Sequence, residues 1–246
     1  MIDSPEYLAK KRFFSSLITL YGRKVALEVL EDSSIEVYKL HLSISNKSDS
    51  ILDKVIKIAK TRNIEIAYHS KAELSRISKN SSQDQGVAID VVSKNYSHIS
   101  TFRADSFKLM AVDGVNNPQN LGLIIRSVAA SRFDGLILLG KNNTRLSPLV
   151  MKASAGTMFK LPIFYGSYED LSVLDADIIT LSSYADTSIE SFKTPQKAIF
   201  VLGNESDGVS ESVQKLSRHS LKIEMHRGVE SLNVAVTAGI IAFLSH

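Results

Sequence analysis

The chain has 246 residues, 44% of them hydrophobic, which suits one large domain or two smaller ones and excludes a disordered or fibrous chain. Its 29 lysines and arginines stand against 26 aspartates and glutamates, a formal net charge of +3, so a surface for an anionic partner must be local. The absence of cysteine excludes disulfides, thiolate zinc sites, iron–sulfur clusters and cysteine nucleophiles, and it suits a reducing cytosol.

In chain order, Pro5 to Leu30 has a helical pattern. Within it Lys10, Lys11 and Arg12 precede Phe13 to Leu20 in the manner of a signal peptide, but two serines interrupt the apolar part and no small-residue cleavage site follows, so export is not expected. Ile35 to Leu42 alternates as a strand. Asp49 to Arg62 predicts an amphipathic helix, with Ile51, Val55, Ile58 and Ala59 on one face and Lys54, Lys57 and Lys60 as a solvent-facing stripe. A strand at Ile64 to Tyr68 precedes a helix at Ser70 to Ile77, opened by a serine cap with Glu73 three residues on. After the polar loop Ser78 to Asp84, Gly86 to Val92 returns to strand character. These elements define an α/β domain over residues 1–93. Residues 94–106, with Asn95, Ser97, His98 and Ser100, lose periodicity and are expected to be a linker.

A second domain is expected over residues 107–246. Its strands are predicted at Lys108 to Val112, Leu136 to Leu139, Ile178 to Leu181, Ala198 to Leu202 and Ser220 to Ile223. Helices are predicted at Asn120 to Arg132, Tyr168 to Leu174, Val209 to Ser217 and Ser231 to Leu244, with a further short helix in the loop before Gly156. Such alternation implies a mainly parallel sheet covered by helices. The apolar stretch Val234 to Leu244 is far short of the about 20 residues a membrane span needs, and being free of charge it is expected to be buried all round, in a core or against another subunit.

Ligands of open parallel sheets bind beyond the carboxyl ends of the strands, and three turns there carry polar residues. The first, Asn116 to Gly122, leads into a helix bearing Arg126. The second, Gly203-Asn204-Glu205-Ser206-Asp207-Gly208, follows an apolar strand but lacks the Lys-Ser/Thr of a P-loop. The third, Met225 to Asn233, enters the last helix. Each taken alone also fits an ordinary turn or helix cap. No dinucleotide fingerprint follows any strand, and the six histidines have no metal-ligand spacing, so neither a nucleotide-dependent oxidoreductase nor a metal centre is expected.

Taken in order, Asn120-x-Gly122 with Arg126-Ser127, Leu202-Gly203-Asn204-Glu205-x-x-Gly208 and Glu230-Ser231-Leu232-Asn233-Val234 resemble the three motifs of the SpoU, or TrmH-like, RNA 2′-O-methyltransferases. Lys152 to Gly156 and Leu161-Pro162 also suit that family. The first domain, with Tyr21-Gly22-Arg23 and Gln85-Gly86-Val87, resembles the L30e-like substrate-binding domain of its rRNA-directed members. The resemblance implies a trefoil knot in the second domain and S-adenosylmethionine enclosed by main-chain groups around Leu202, Gly203, Gly208, Ile223, Met225 and Leu232. It also implies a homodimer and methyl transfer to a ribose 2′-hydroxyl of RNA, with large-subunit rRNA expected; tRNA, or a silent RNA-binding homologue, is the alternative. Arg126 is expected to position phosphate and 2′-oxygen, a guanidinium being effectively always protonated. Asn120, Glu205, Ser231 and Asn233 would orient it, the ribose or the cofactor, and the general base stays open. The sequence departs from the family at Arg132, at Glu224, where proline is usual, and at Asp84, where histidine is usual.

Between Asp134 and Glu169 lie Lys141, Arg145, Lys152 and Lys160 with no acidic residue, a local basic segment attractive to phosphates. Lys141, Arg145 and Lys152, with Arg126 and Gln85, are the candidate RNA contacts; a merely solvated basic face is the alternative.

Overall fold

The computed structural model describes Phe13 and residues 17–92, 96–204 and 207–244, and the chain divides into two compact units, 1–94 and 95–246. In the first unit, β1 (Leu17–Tyr21), α1 (Arg23–Glu31), β2 (Glu36–Ser43), α2 (Ser50–Thr61), β3 (Glu65–His69), α3 (Lys71–Ser78) and β4 (Val87–Val92) form a sheet of order β1-β4-β2-β3 with its helices. The β2–β3 pair is parallel and β4 is antiparallel to both neighbours. Where one helix was expected from Pro5 to Leu30, Leu17–Tyr21 is instead a strand with alternating burial, paired along its length with β4. Gly22, at φ 100°, turns the chain into α1, a conformation that a side chain would strain. The caps are local: Asp49 accepts from the amides of Ile51 and Leu52, and Ser70 and Glu73 form a capping box. Leu20, Val29, Leu40, Val55, Ala59 and Ile89 are fully buried between sheet and helices.

The second unit contains β5 (Tyr96–His98), β6 (Phe107–Asp113), α4 (Pro118–Ala129), β7 (Gly135–Leu139), α5 (Pro148–Ala153), β8 (Ile163–Gly166), α6 (Tyr168–Ser172) and β9 (Asp177–Leu181). It continues through β10 (Thr187–Ser188), β11 (Lys197–Gly203), α7 (Glu211–Leu216), β12 (His219–Lys222) and α8 (Val234–Leu244). The strand order is β10-β12-β9-β11-β6-β7-β8-β5 and every described pairing is parallel. β6, β7 and β11 are buried nearly throughout, as strands covered on both faces must be. The stretch expected as a linker instead contributes β5, which extends the sheet beside β8, and a 3-10 turn at Ile99–Thr101.

Glycine sets the closest helix packing. A Cβ on Gly122 of α4 would lie 2.4 Å from Ala153 Cβ and 2.8 Å from the Val150 carbonyl oxygen, so α5 can approach only because that position is bare. α8 is not buried all round within this chain: Val234, Ala238 and Ile241 are buried, whereas Val236, Phe243 and Leu244 are 52, 56 and 43% exposed. Among the described residues no helix is long and apolar enough to cross a membrane.

Candidate active site

Strand order reverses between β6 and β11, and at their adjoining carboxyl ends Asp113 pairs in register with Gly203. Asp113 is only 5% exposed. Its Oδ1 accepts from the Tyr168 hydroxyl at 2.8 Å and its Oδ2 from the Ser210 amide at 2.8 Å, tying the start of α6 to the segment beyond Gly208. Burial, followed by the bond to Asp113, raises the Tyr168 phenol above its ordinary 10.0.

Asn143 braces the next turn. Its amide donates to the carbonyls of Leu139 (2.6 Å) and Val112 (3.1 Å), and its Oδ1 accepts from the Val115 amide at 2.8 Å, so the ends of β6 and β7 hold the approach to α4. Asn117 caps α4 through the Gln119 amide, with Pro118 in the first turn. Asn120 is buried and Arg126, further along the helix, is exposed. The second turn folds back on itself through reciprocal backbone bonds between Asn204 and Gly208 (3.2 and 3.1 Å). A Cβ on Gly203 would fall 1.9 Å from the Gly208 carbonyl carbon, so no other residue fits there without opening the turn. Gly114, at φ 82°, puts the first turn against the second: its Cβ position lies 3.4 Å from Asn204 Nδ2. Glu205, with Ser206, lies outside the described residues.

The third segment starts at Ile223, just past β12, and crosses to α4. Asn233 donates from Nδ2 to Asn120 Oδ1 at 3.2 Å while its own Oδ1 caps α8 at the Ala235 amide (2.9 Å). The helix bearing Arg126 and the entry to α8 are thereby joined. Ile223, Met225 and Leu232 are half-buried along this crossing and Ser231 is exposed. Glu224 is turned to Lys222, 3.0 Å away. Lys141 and Arg145 follow the carboxyl end of β7, Lys152 lies in the last turn of α5, and all three are exposed. Gln85 belongs to the first unit, exposed in a left-handed turn at φ 52° with its carbonyl accepting from Arg23 Nε. Asp84, beside it, is buried and engaged by Ser78 Oγ and the Gly86 amide, so it holds the turn from inside.

Sequence reasoning missed Asp113 and Asn143. The available signal was a lone carboxylate ending an apolar strand, and an asparagine three residues past the glycine that ends the next one.

The sequence profile of the SpoU rRNA methylase family matches residues 108–243, and that of RNA 2′-O ribose methyltransferase substrate-binding domains matches residues 19–97. An uncharacterized tRNA/rRNA methyltransferase of Mycolicibacterium smegmatis is 28% identical over 231 residues, which cover 89% of this chain and 73% of the relative. The fold is similar to that of an AdoMet-bound rRNA methyltransferase from Sinorhizobium meliloti, with a TM-score of 0.67 and 20% identity over 96% of this chain and 89% of that one. It is also similar to the SpoU methyltransferase AviRb of Streptomyces viridochromogenes in complex with AdoMet, with a TM-score of 0.65 and 18% identity over 96% and 91% of the two chains.

Proposed function

Because the chain belongs to the SpoU rRNA methylase family and is an RNA methyltransferase, we propose that it transfers the S-adenosylmethionine methyl group to a ribose 2′-hydroxyl of large-subunit rRNA. The observation that carries this reading is the 3.2 Å bond from Asn233 to Asn120, which brings the third motif onto the helix of Arg126 beside the Gly203–Gly208 turn. The residues present fit the cofactor. Gly203 lets the turn close against the Gly208 backbone, the Cβ position of Gly208 itself is open, and the half-buried Ile223, Met225 and Leu232 add apolar surface for the adenosine. When bound there, the cofactor supplies a methyl group on a sulfonium already activated for transfer.

The chain's own groups then do the positioning. Arg126, exposed and without an acidic partner among the described residues, binds the phosphate of the acceptor nucleotide and holds its 2′-oxygen in line. Asn120 and Asn233 fix the helix that presents it, and Ser231 and Glu205 belong with them as orienting groups. Lys141, Arg145 and Lys152 draw in the flanking phosphates. The return of the chain from β12 to α4 supports the trefoil threading that the SpoU resemblance implies, and the exposed face of α8 supports a homodimer. The rRNA assignment rests on the additional first unit, and the cytosol, where ribosomal RNA matures, is the expected compartment. The similarity to a tRNA/rRNA methyltransferase of Mycolicibacterium smegmatis keeps tRNA as the second reading.

The test is mass spectrometry of nucleosides and mapped rRNA fragments from cells with and without the gene. One 2′-O-methyl mark should vanish and return with the wild type but not with Arg126→Ala, whose methylation rate should fall at least about a hundredfold while RNA binding largely persists. Loss of a tRNA mark instead would move the substrate, and unchanged rRNA and tRNA would sink the catalytic reading.

A further inference from the structure

We propose that a cavity wholly within the second unit is a receptor for a small apolar molecule carrying a single carboxylate, with Arg103 as the group that binds the charge. Its volume is about 400 Å³, within the range of sites for small ligands. Phe107, which opens β6, and Lys197, which opens β11, both line it, so it lies at the amino edge of the sheet, opposite the carboxyl edge proposed for S-adenosylmethionine. The two strand ends are tied together there: Phe107 pairs in register with Lys197, and its amide donates to the Gln196 carbonyl at 2.8 Å.

One wall is aromatic and fixed. The half-buried Phe102 ring, which lines the cavity, meets Phe107 edge-on with 5.1 Å between centroids and Phe164 at 5.3 Å, and both of those rings belong to the core. The 3-10 turn at Ile99–Thr101 precedes that ring and is closed by the Phe102 amide on the Ile99 carbonyl (2.9 Å), which holds its backbone in place. Leu174 also lines the cavity and packs on the same core, whereas Val173 beside it is 75% exposed, an apolar surface left open to an occupant.

The polar part of the lining calls for one anion. Arg103 Nη1 donates to the carbonyls of Ser100 (2.8 Å) and Phe102 (2.6 Å), which pins the guanidinium from one side. Its Nε and Nη2 have no partner among the described residues, and these two neighbouring donors match the two oxygens of a carboxylate. Lys197 is held by Asp175 at 3.3 Å, and Asp175, 91% exposed, is the one acidic side chain that lines the cavity among the described residues. With that pair balanced, a single unspent cation is left beside apolar walls. A nucleic-acid backbone, a run of phosphates without an apolar body, suits this lining less well than one carboxylate on a hydrocarbon.

The full chain should be titrated with 3-phenylpropionate by calorimetry and ligand-observed NMR. Saturable binding with a Kd of about a millimolar or tighter is expected, with the uncharged 3-phenylpropionamide at least about tenfold weaker. Arg103→Gln should bring acid and amide to within about threefold of each other, a change that a merely structural role of Arg103 would not produce. Val173→Asp, at an exposed position, should weaken the acid at least about tenfold, and Asp175→Asn should tighten it about threefold by removing a like charge from the lining. Melting temperature and an unchanged S-adenosylmethionine affinity establish that each variant is folded and that the two sites are separate. Absence of saturable binding up to about 10 mM overturns the receptor, as does equal affinity for acid and amide in the wild type or an acid preference that survives Arg103→Gln. N-acetylated Gly-Gly-Phe with a free C-terminus separates the sources. Binding no tighter than that of 3-phenylpropionate upholds a free acid; binding at least about tenfold tighter would assign the cavity to the end of another protein and overturn it. Displacement of the bound acid by rRNA transcripts would give the cavity to RNA and overturn it likewise.

Discussion

Asp113 closes an apolar strand with a carboxylate that two distant segments share, Tyr168 from 55 residues away and Ser210 from 97. Removing its side chain leaves the half-buried Ser210 amide without its acceptor, at a cost of up to roughly 1–3 kcal/mol that falls on the turn proposed for the cofactor. Asp113→Ala should therefore weaken S-adenosylmethionine binding about tenfold to a hundredfold by calorimetric titration. Asp113→Asn, which keeps one oxygen, should lose less; wild-type affinity in the alanine variant would remove Asp113 from the site. The same residue marks where sequence stops being legible. Gly203, Asn120, Arg126 and Asn233 stood in short motifs whose order carried the signal. The partners of Asp113 are defined only by the sheet register and by loops that return from far along the chain.

At the scale of elements, helices with their own punctuation could be read directly: Asp49, Ser70 and Asn117 cap α2, α3 and α4, where the sequence pattern asks for helices. β1 was missed inside a longer helical pattern, and β5 and β8 because strands of three and four residues carry little periodicity; they become strands by pairing, β1 with β4, β5 with β8 and β8 with β7. The first sheet also carries a polar link that sequence could not show. His41 is bonded to His69 (2.9 Å) and to Asp90 (3.1 Å), and Thr19 donates to Asp90 at 2.6 Å, joining β1, β2, β3 and β4. Burial pushes the Asp90 carboxyl up, but the bonds from His41 and Thr19 and the charge of His41 outweigh it and hold the group below its ordinary 3.8. A carboxyl depressed in the folded state stabilises above the unfolded value and loses that contribution as pH falls through the folded one. Melting temperature should therefore drop steeply below about pH 4, and Asp90→Asn should be less stable at pH 6 with a shallower acid limb. Parallel acid limbs in the two proteins would show that Asp90 contributes nothing.

At the scale of the molecule, the apolar exposure of α8 is the feature a lone chain leaves unfinished: Val236, Phe243 and Leu244 face outward, with Leu123 exposed on α4, the helix against which α8 packs. A homodimer covering this face predicts that the wild type elutes at twice the chain mass by light scattering and that Phe243→Glu shifts it to monomer. A monomeric wild type at micromolar concentration would remove the dimer from the reading. The bond between Asn120 and Asn233 spans 113 residues, the greater part of the second unit. During synthesis, α4 leaves the ribosome long before its partner has been translated, so a nascent chain can carry the first two motif turns and still lack the bond that joins the third to α4. A product terminated before residue 233 should therefore keep the first unit and its hold on RNA yet transfer no methyl group, because the bond that ties the last helix to α4 cannot form.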